Sequence, residues 1–410
     1  MNKHLLRQIF NQWRSNIWLV VELLIVSVVL WYIIDSLYVT YKKVNLPFPQ
    51  NIEHCYLIET DVIDSTSPYF KPGADYDNIK NISSLLDHIK HRKEVEAACM
   101  VYNGMYPFSG FSTYNGLGFL NENDSLVFTR SIYSQLCTSQ YPLVFRLHGA
   151  NGETPEELAA MLKEGKIIVS TTALDDSNVK AEQFVNKRLN HNGEWLTLGA
   201  LMPEVRQNSY CRPEKWMLRN TSIMPGGGSI MVFRVRADMD KDIIPNLLAD
   251  ANKYISGNRI ISSVKSFKDI KRNAELDYTN ESRNFIVVAL FLMVNIFLGL
   301  LGTFWFRTQQ RTSEIAVRRA VGSTDRQILG RIISEGLILL TVATLPAIAV
   351  DLTIAHFQLT NNWFEFISWE RTGFCILITY AIMSVMIVLG AMAPALRAMH
   401  INPAIALKDE

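Results

Sequence analysis

Hydrophobic positions in this chain are concentrated in four blocks, and a long polar stretch separates the first block from the second. A helix needs about 20 apolar residues to cross the roughly 30 Å core of a bilayer. The pattern therefore predicts four transmembrane helices, at 17–38, 284–306, 332–357 and 373–395. The first block is the shortest, which leaves a secretory signal as the alternative. No small-x-small cleavage site follows it, so a retained helix is the favoured interpretation.

The short segments between the blocks predict the orientation of the chain. Residues 1–16 carry basic side chains and no acid, and 307–331 carry six arginines against two acids. Basic short loops stay on the cytoplasmic side of a membrane. Both termini, including the tail 396–410, are therefore predicted to be cytoplasmic. The stretch 39–283 and the short loop 358–372 are predicted to lie outside.

The outer stretch alternates between strand-like and helix-like patterns. "CYLIE", "EAACMVY", "GKIIVS", "SIMVFRVRA" and "RIISSVKSF" predict strands. "NISSLLDHIKHRK", "EELAAMLK" and "DIIPNLLADANKYI" predict helices between them. Such alternation is typical of α+β domains with helices on one face of a sheet. The predicted fold is thus an α-helical membrane protein with four transmembrane helices and a large extracytoplasmic α+β domain.

Composition and motifs limit the classes of function. The formal net charge of +1 gives no reason to expect nucleic-acid binding. The chain contains no G-x-x-x-x-G-K-[ST], H-E-x-x-H or G-x-S-x-G sequence. We therefore expect no enzyme activity and no cofactor or metal bound by this chain. If the protein uses ATP, the ATP and Mg²⁺ sites belong to a partner subunit.

Cysteine and histidine leave structural questions open. Cys55, Cys99, Cys137 and Cys211 fall in the outer stretch, where one or two disulfides are possible. Spacing does not determine their pairing, and four buried thiols are the alternative. His88 with the histidine three residues later offers too few ligands for a metal site, so a solvated helix face is favoured.

Glu22 is the one charge in the apolar run 17–34, about six residues from its start. A carboxylate inside a bilayer costs roughly 2.5–3.5 kcal/mol on insertion scales and often marks function. A proton-coupled carrier would show several such groups. We therefore favour a helix contact or the membrane interface as the place of Glu22.

The segment 307–331 is predicted to be a helix, a break and a second helix. Residues 309–322 have the composition of a short amphipathic helix, and Gly322 is a natural C-terminal stop. Thr324 and Gln327 then have the T-x-x-Q spacing of a capping box. Such a cytoplasmic elbow can lie across the membrane surface and present side chains to a partner. The alternative is that its arginines serve only the topology.

Two motifs in this part of the chain resemble FtsX/MacB-type ABC transporter permeases. The first is "RTSEIAVRRAVGSTDRQILGRIISEGLILL", through Arg311, Glu314, Ile315, Arg318, Arg319, Ala320, Gly322 and Glu335. The second is the C-terminal "APALRAMHINPAIALKDE", through Pro394, Ala395, Ala398, Pro403, Ala406 and Leu407. The order of one helix, a large outer domain and three helices is also similar.

The resemblance implies a permease subunit in the bacterial cytoplasmic (inner) membrane that works as a dimer with two cytoplasmic ATPases. The dimer is homomeric or heteromeric. Its elbow relays ATP-driven closure through Arg311, Glu314, Arg318, Arg319 and Gly322 to a periplasmic core domain of the porter and sabre kind. Because only residues 1–16 precede the first helix, we expect the ATPase to be a separate chain.

Three functions fit this resemblance. Efflux from the periplasm is the favoured one, and it leaves room for a periplasmic adaptor and an outer-membrane channel as partners besides membrane lipid. A lipoprotein-releasing permease is the first alternative, although its usual stretch after helix 1 is absent here. A cell-division-type regulator of an external hydrolase, without transport, is the second alternative. The substrate is not specified by the sequence.

Overall fold

A computed structural model of the chain describes most of its residues. The described ranges are 13–74, 79–102, 105–110, 114–115, 132–174, 181–191, 193–221, 229–310, 312–357 and 368–399. They form two units, Met1–Val44 with Thr279–Glu410 and Asn45–Tyr278. The N-terminal segment, most of the loop before the last helix and the end of the tail lie outside the described residues.

The membrane unit is built from four long helices and one short one. The long helices are α1 (Trp13–Asn45), α7 (Leu276–Gln310), α9 (Asp325–His356) and α10 (Trp369–Met399), and the short one is α8 (Thr312–Ala320). Within the described residues, four helices are long and apolar enough to cross a membrane. Each extends beyond the apolar run that predicted it, because helical hydrogen bonding continues where hydrophobicity stops.

The long helices bury an aliphatic core between them. Leu23 of α1, Leu300 of α7, Leu339 of α9 and Ile387 of α10 are all fully enclosed in it. Gly336 shows how tightly the helices pack, since a Cβ there would lie 2.7 Å from Ile387 Cγ2 and 3.0 Å from a ring carbon of Phe304. Close approach of three helices at one point therefore depends on this glycine.

The outer unit contains one mixed sheet with short helices. Its strands are β1 (Cys55–Val62), β2 (Val95–Val101), β3 (Tyr114–Asn115), β4 (Ile132–Cys137), β5 (Ile167–Ser170), β6 (Arg188–His191), β7 (Glu194–Met202), β8 (Trp216–Asn220), β9 (Ile230–Val235) and β10 (Arg259–Ser266). Its helices are α2 (Ile79–Lys90), α3 (Tyr141–Phe145), α4 (Pro155–Lys163), α5 (Ile243–Ala249) and α6 (Phe267–Ala274). All five predicted strands and all three predicted helices are present.

The sheet order is β10-β1-β9-β2-β4-β8-β5-β7-β6, with β3 paired to β4. Most neighbouring strands are antiparallel, and β4–β8 and β5–β7 are parallel. Helix α4 begins with a capping box in which Thr154 and Glu157 bond each other's backbone N–H groups. The α+β class predicted from the sequence is confirmed.

The prediction that helices cover one face of the sheet is wrong for the β1–β2 half. Alternate residues of β1 point to opposite faces, and all of its first four are buried. Cys55 and Leu57 pack in the core that includes α3 and α4. Tyr56 and Ile58 pack in the second core, with α2 and α5. A strand covered on both faces has a continuous apolar run rather than an alternating one.

Candidate functional site

The predicted elbow is present as α8, which ends in a sharp break. Gly322 follows it with φ of +97°, a left-handed conformation that strongly favours glycine. Thr324 then caps α9, since its hydroxyl accepts from the Gln327 N–H and the Gln327 side chain accepts from the Thr324 N–H at 3.0 Å. The predicted stop and capping box are confirmed.

One face of α8 is turned toward the membrane helices. Ile315 is buried and packs with Ile328 of α9, with Ile332 beside them. Glu314 and Arg318, one helical turn apart on either side of Ile315, form an ion pair of 2.5 Å. Both side chains are about one-third exposed, so the pair is half-buried rather than fully presented to solvent. The inner face therefore ties the elbow to the start of α9.

A cavity of about 510 Å³ lies between α8, the last turns of α7 and the first turns of α9. Glu314, Ile315 and Arg318 line it on the elbow side. Arg307 of α7 and Glu335 of α9 face each other across it, with Nη1 and Oε1 3.9 Å apart. Arg307 also donates a hydrogen bond to Asn16 of α1. The cavity is thus charged at its rim and bounded by three helices.

A second face of α8, away from the buried Ile315, carries exposed apolar side chains that the sequence analysis did not single out. Val317 is 47% exposed, Val321 just after the helix is 84% exposed, and Ala320 between them is also exposed. Residues spaced by three and four share one face of a helix. These residues form a small exposed apolar strip on a short helix outside the predicted spans, which makes it a candidate contact surface. The three- and four-residue spacing of these apolar positions is present in the sequence, within a segment rich in arginine.

The other predicted coupling residues are described only in part. Arg311 lies outside the described residues. Arg319 is part of the α8 backbone, and its side chain is not described. Gly322 forms the break itself. Of the five, Glu314 and Arg318 are paired with each other and line the cavity. A coupling role remains a prediction for all five residues.

Glu22 makes a helix contact, the interpretation favoured from the sequence. The Thr303 hydroxyl lies 3.1 and 3.3 Å from its two carboxylate oxygens and also 3.0 Å from the Gly299 carbonyl oxygen. Gly299 leaves room for the carboxylate, since a Cβ there would be 3.8 Å from Glu22 Oε1. The carboxylate therefore joins α1 to α7.

A second polar contact inside the membrane unit was not predicted. Asp35 of α1 and Arg371 of α10 are 2% and 1% exposed. They form a bidentate pair, with Nε to Oδ1 at 2.7 Å and Nη2 to Oδ2 at 2.5 Å. Arg371 falls within the loop 358–372 predicted from the sequence, whereas α10 begins at Trp369 and has Arg371 in its first turn. The sequence does carry a hint of this pair. Asp35 is an isolated acid at the end of the first apolar run, and Arg371 is an isolated base just before the last one.

The polar side chains of interest in the outer unit are structural. Cys55, Cys99, Cys137 and Cys211 are free thiols, so the alternative without disulfides is what the structure shows. Burial raises the pKa of the Cys55 thiol to about 12 and raises the pKa values of the Cys99 and Cys137 thiols as well. The Cys55 sulfur lies 3.3 Å from the Val144 carbonyl oxygen, and the Cys137 sulfur lies 3.8 Å from the Arg219 carbonyl oxygen. These thiols are poor nucleophiles.

His88 lies in the last turn of α2 and His91 directly follows the helix, and both line an open polar groove. The His88 ring is 6.0 Å from the Tyr254 ring, and His91 Nδ1 is 2.7 Å from the Asp87 carbonyl oxygen. In the part of the chain that the structure describes, no group of three or more His, Cys, Asp or Glu side chains could hold a metal ion.

Comparison with known proteins is informative for the membrane unit. Residues 286–403 match the sequence profile of the family described as FtsX-like permease C-terminal. No curated protein matches this sequence significantly. Among solved structures, the crystal structure of the periplasmic region of MacB from Actinobacillus actinomycetemcomitans aligns with 57% of this chain and 98% of its own. The identity is 9% and the TM-score 0.32.

The profile match spans the elbow, its break, the capping box and the last two long helices, which are the elements that carried the resemblance drawn from the sequence. The resemblance to FtsX-type permeases is therefore confirmed. The match covers residues 286–403, less than a third of the chain, and this segment is similar to the C-terminal domain of FtsX-like permeases.

Proposed function

We propose that this chain is the permease subunit of an ABC transporter and couples a separate cytoplasmic ATPase to movements of its extracytoplasmic domain, in export from the periplasm. The observation that carries the proposal is the two-faced elbow α8. Its outer face exposes Val317 and Val321, and its inner face is tied to α9 through Ile315. A partner seated on the outer face would push on α9 through the inner one.

The geometry of the elbow supports transmission of force. The capping box gives α9 a defined first turn, and the left-handed Gly322 gives the chain a defined angle between α8 and α9. The Glu314–Arg318 pair stiffens α8 by an interaction one turn apart, worth a few tenths of a kcal/mol on an exposed helix. A short stiff lever with fixed ends transmits displacement better than a flexible loop does.

The proposed orientation and location follow from the charges. Six arginines between 307 and 331 favour the cytoplasmic side for the elbow, where ATP is available. The outer unit, Asn45–Tyr278, then lies in the periplasm of a cell with an inner membrane. Its substrate would be met there rather than in the cytoplasm.

The ionisable groups Glu22, Asp35 and Arg371 are engaged between helices, which supports work on an external substrate rather than passage through a central channel. Glu22 contacts Thr303, and Asp35 is paired with Arg371. These groups join one helix to another, whereas a hydrophilic path needs polar groups that face a water-filled space. Permeases of this type are expected to form dimers, so we propose that two copies of the membrane unit work together.

The experiment compares two elbow variants for ATPase association. Val317→Ser combined with Val321→Ser should weaken association about tenfold, because apolar anchors at an interface centre carry much of its binding energy. Glu314→Arg combined with Arg318→Glu keeps the internal pair but reverses the charges offered to a partner, and should slow association. The measurements are co-purification of the ABC ATPase that accompanies the wild-type chain and permease-stimulated ATP turnover.

The matched control is Val62→Ser, which changes an exposed valine at the end of β1 in the outer unit. It should leave association unchanged, and all variants should insert into the membrane equally. Unchanged ATPase binding and turnover in both elbow variants would contradict the proposal and would mean that the arginines of this segment serve only the membrane topology.

A further inference from the structure

The cavity beneath the elbow has the size and the wall composition of a ligand site. Its volume of about 510 Å³ falls within the roughly 300–1,000 Å³ typical of small-molecule pockets. Phe304, Ile332 and Ile338 provide apolar wall, while Arg307, Arg318 and Arg331 provide guanidinium groups. A ligand that fills it should therefore be apolar at one end and anionic at the other.

The charges of the cavity favour an anion. Three arginines line it against two acids, Glu314 and Glu335, which leaves one net positive charge. Glu314 is engaged by Arg318 at 2.5 Å. Arg307 Nη1 lies 3.9 Å from Glu335 Oε1, which is a salt-bridge distance. An oxygen-rich anion near Arg307 and Arg331 would meet planar donor groups suited to phosphate.

The position of the cavity selects the kind of anion. Arg331 is the last basic residue before the apolar run of α9, and Glu335 lies one turn further along. Phe304 and Arg307 occupy the matching place where the apolar run of α7 ends. The cavity thus straddles the boundary between hydrocarbon and water, where phospholipid headgroups lie. Basic pockets between transmembrane helices at such a boundary bind anionic headgroups.

We infer that this cavity binds the phosphate of an anionic phospholipid, with the glycerol and first acyl carbons against Phe304, Ile332 and Ile338. The bound lipid would bridge α7 and α9 and support the inner face of the elbow, leaving Val317 and Val321 for the ATPase. The lipid would belong to the cytoplasmic leaflet, and this part of the inference rests on the proposed function. The binding itself depends only on the cavity and its charges.

The test uses the purified, delipidated full-length chain without ATPase. Phosphatidylglycerol, phosphatidylcholine and inorganic phosphate are titrated separately, and bound lipid is counted by native mass spectrometry alongside the thermal shift. Phosphatidylglycerol should bind at one molecule per chain and raise the unfolding temperature. Phosphatidylcholine should bind at least about tenfold more weakly, and inorganic phosphate should produce no comparable shift.

A matched pair of variants then locates the site. Arg331→Gln removes a guanidinium that lines the cavity, whereas Arg326→Gln removes an exposed one from the first turn of the same helix. The first should weaken phosphatidylglycerol binding about tenfold, and the second should leave it unchanged. The lipid comparison on the wild-type chain stands even if the Arg331 variant fails to fold.

Several results would overturn the assignment. Equal affinity for the two lipids would mean a nonspecific apolar groove, and an equal shift with inorganic phosphate would mean a free-anion site. Equal losses in the two variants would mean general surface attraction. Because the binding measurement contains no ATPase, a failure of coupling leaves its outcome unaffected.

Discussion

At the scale of single residues, the Asp35–Arg371 pair is the most deeply buried ion pair in the described membrane unit. Both side chains are almost fully enclosed, and two hydrogen bonds hold them in parallel. Removing two charges from water is expensive, and only close, well-directed pairing offsets that loss. The pair therefore contributes little net stability while complete, but a single unpaired member would be strongly unfavourable.

We expect Asp35→Asn to destabilise the detergent-solubilised protein by about 3–5 kcal/mol, because Arg371 keeps its buried charge and loses the carboxylate that neutralises it. Asp35→Asn combined with Arg371→Gln removes both charges and should recover much of that loss. The measurement is the midpoint of thermal unfolding for the two variants and the wild type.

The matched control is Glu370→Gln, since Glu370 is exposed and adjacent to Arg371. It should shift stability by less than about 1 kcal/mol. If Asp35→Asn alone is no worse than the double variant, the pair is not energetically coupled and the argument from burial is wrong.

At the scale of elements, the junction between α8 and α9 depends on backbone conformation. Gly322 has φ of +97° with open space around its Cα, so only conformation limits substitution there. Gly302 of α7 also has open space, but it is inside a helix. These two glycines separate the effect of the left-handed conformation from the effect of added volume.

We expect Gly322→Ala to destabilise the protein by about 1 kcal/mol or more, because alanine is strained in the left-handed region. Gly302→Ala should be neutral or stabilising by up to about 1 kcal/mol, because alanine favours the helix interior. Thermal unfolding in detergent measures both. Equal shifts for the two substitutions would show that the break does not require glycine.

At the scale of the whole molecule, the outer unit has what it needs to fold alone. It contains two large cores on the two faces of its sheet and a third around β5 and β7. Its cysteines are free and three of them are buried, so no crosslink holds it together. A unit with its own cores is expected to unfold cooperatively.

The fragment 45–278 should therefore be soluble and should unfold in a single cooperative transition, with or without reductant. In the folded fragment, Cys55, Cys99 and Cys137 should not react with a thiol reagent at pH 8. Burial shields them, and the Cys55 pKa of about 12 keeps that thiol protonated. Circular dichroism and thiol titration in native and denatured samples measure both properties.

The half-buried Cys211 is the internal comparison, since it should react first. A fragment that folds only under oxidising conditions would contradict the free-thiol structure. Full reactivity of all four thiols before unfolding would contradict the burial.

The amino-acid pattern by itself determined the features that depend on near neighbours along the chain. The four long helices follow from apolar runs that no other structure can satisfy in a bilayer. The elbow, its stop at Gly322 and the Thr324–Gln327 capping box are set within a few residues. The strands and helices first predicted in the outer unit were likewise identifiable because their periodicity is local.

Only the tertiary structure decided which distant groups meet. Asp35 and Arg371 are 336 residues apart, and Glu22 and Thr303 are 281 apart, so no local pattern links them. The cavity, the inward turn of Glu314 and Arg318, and the exposure of Val317 depend on how α7, α8 and α9 pack. The order of the strands decides which helices cover each face of the sheet and whether two cysteines come close enough to form a disulfide. Packing among distant segments sets all of these, and a one-dimensional pattern does not contain it.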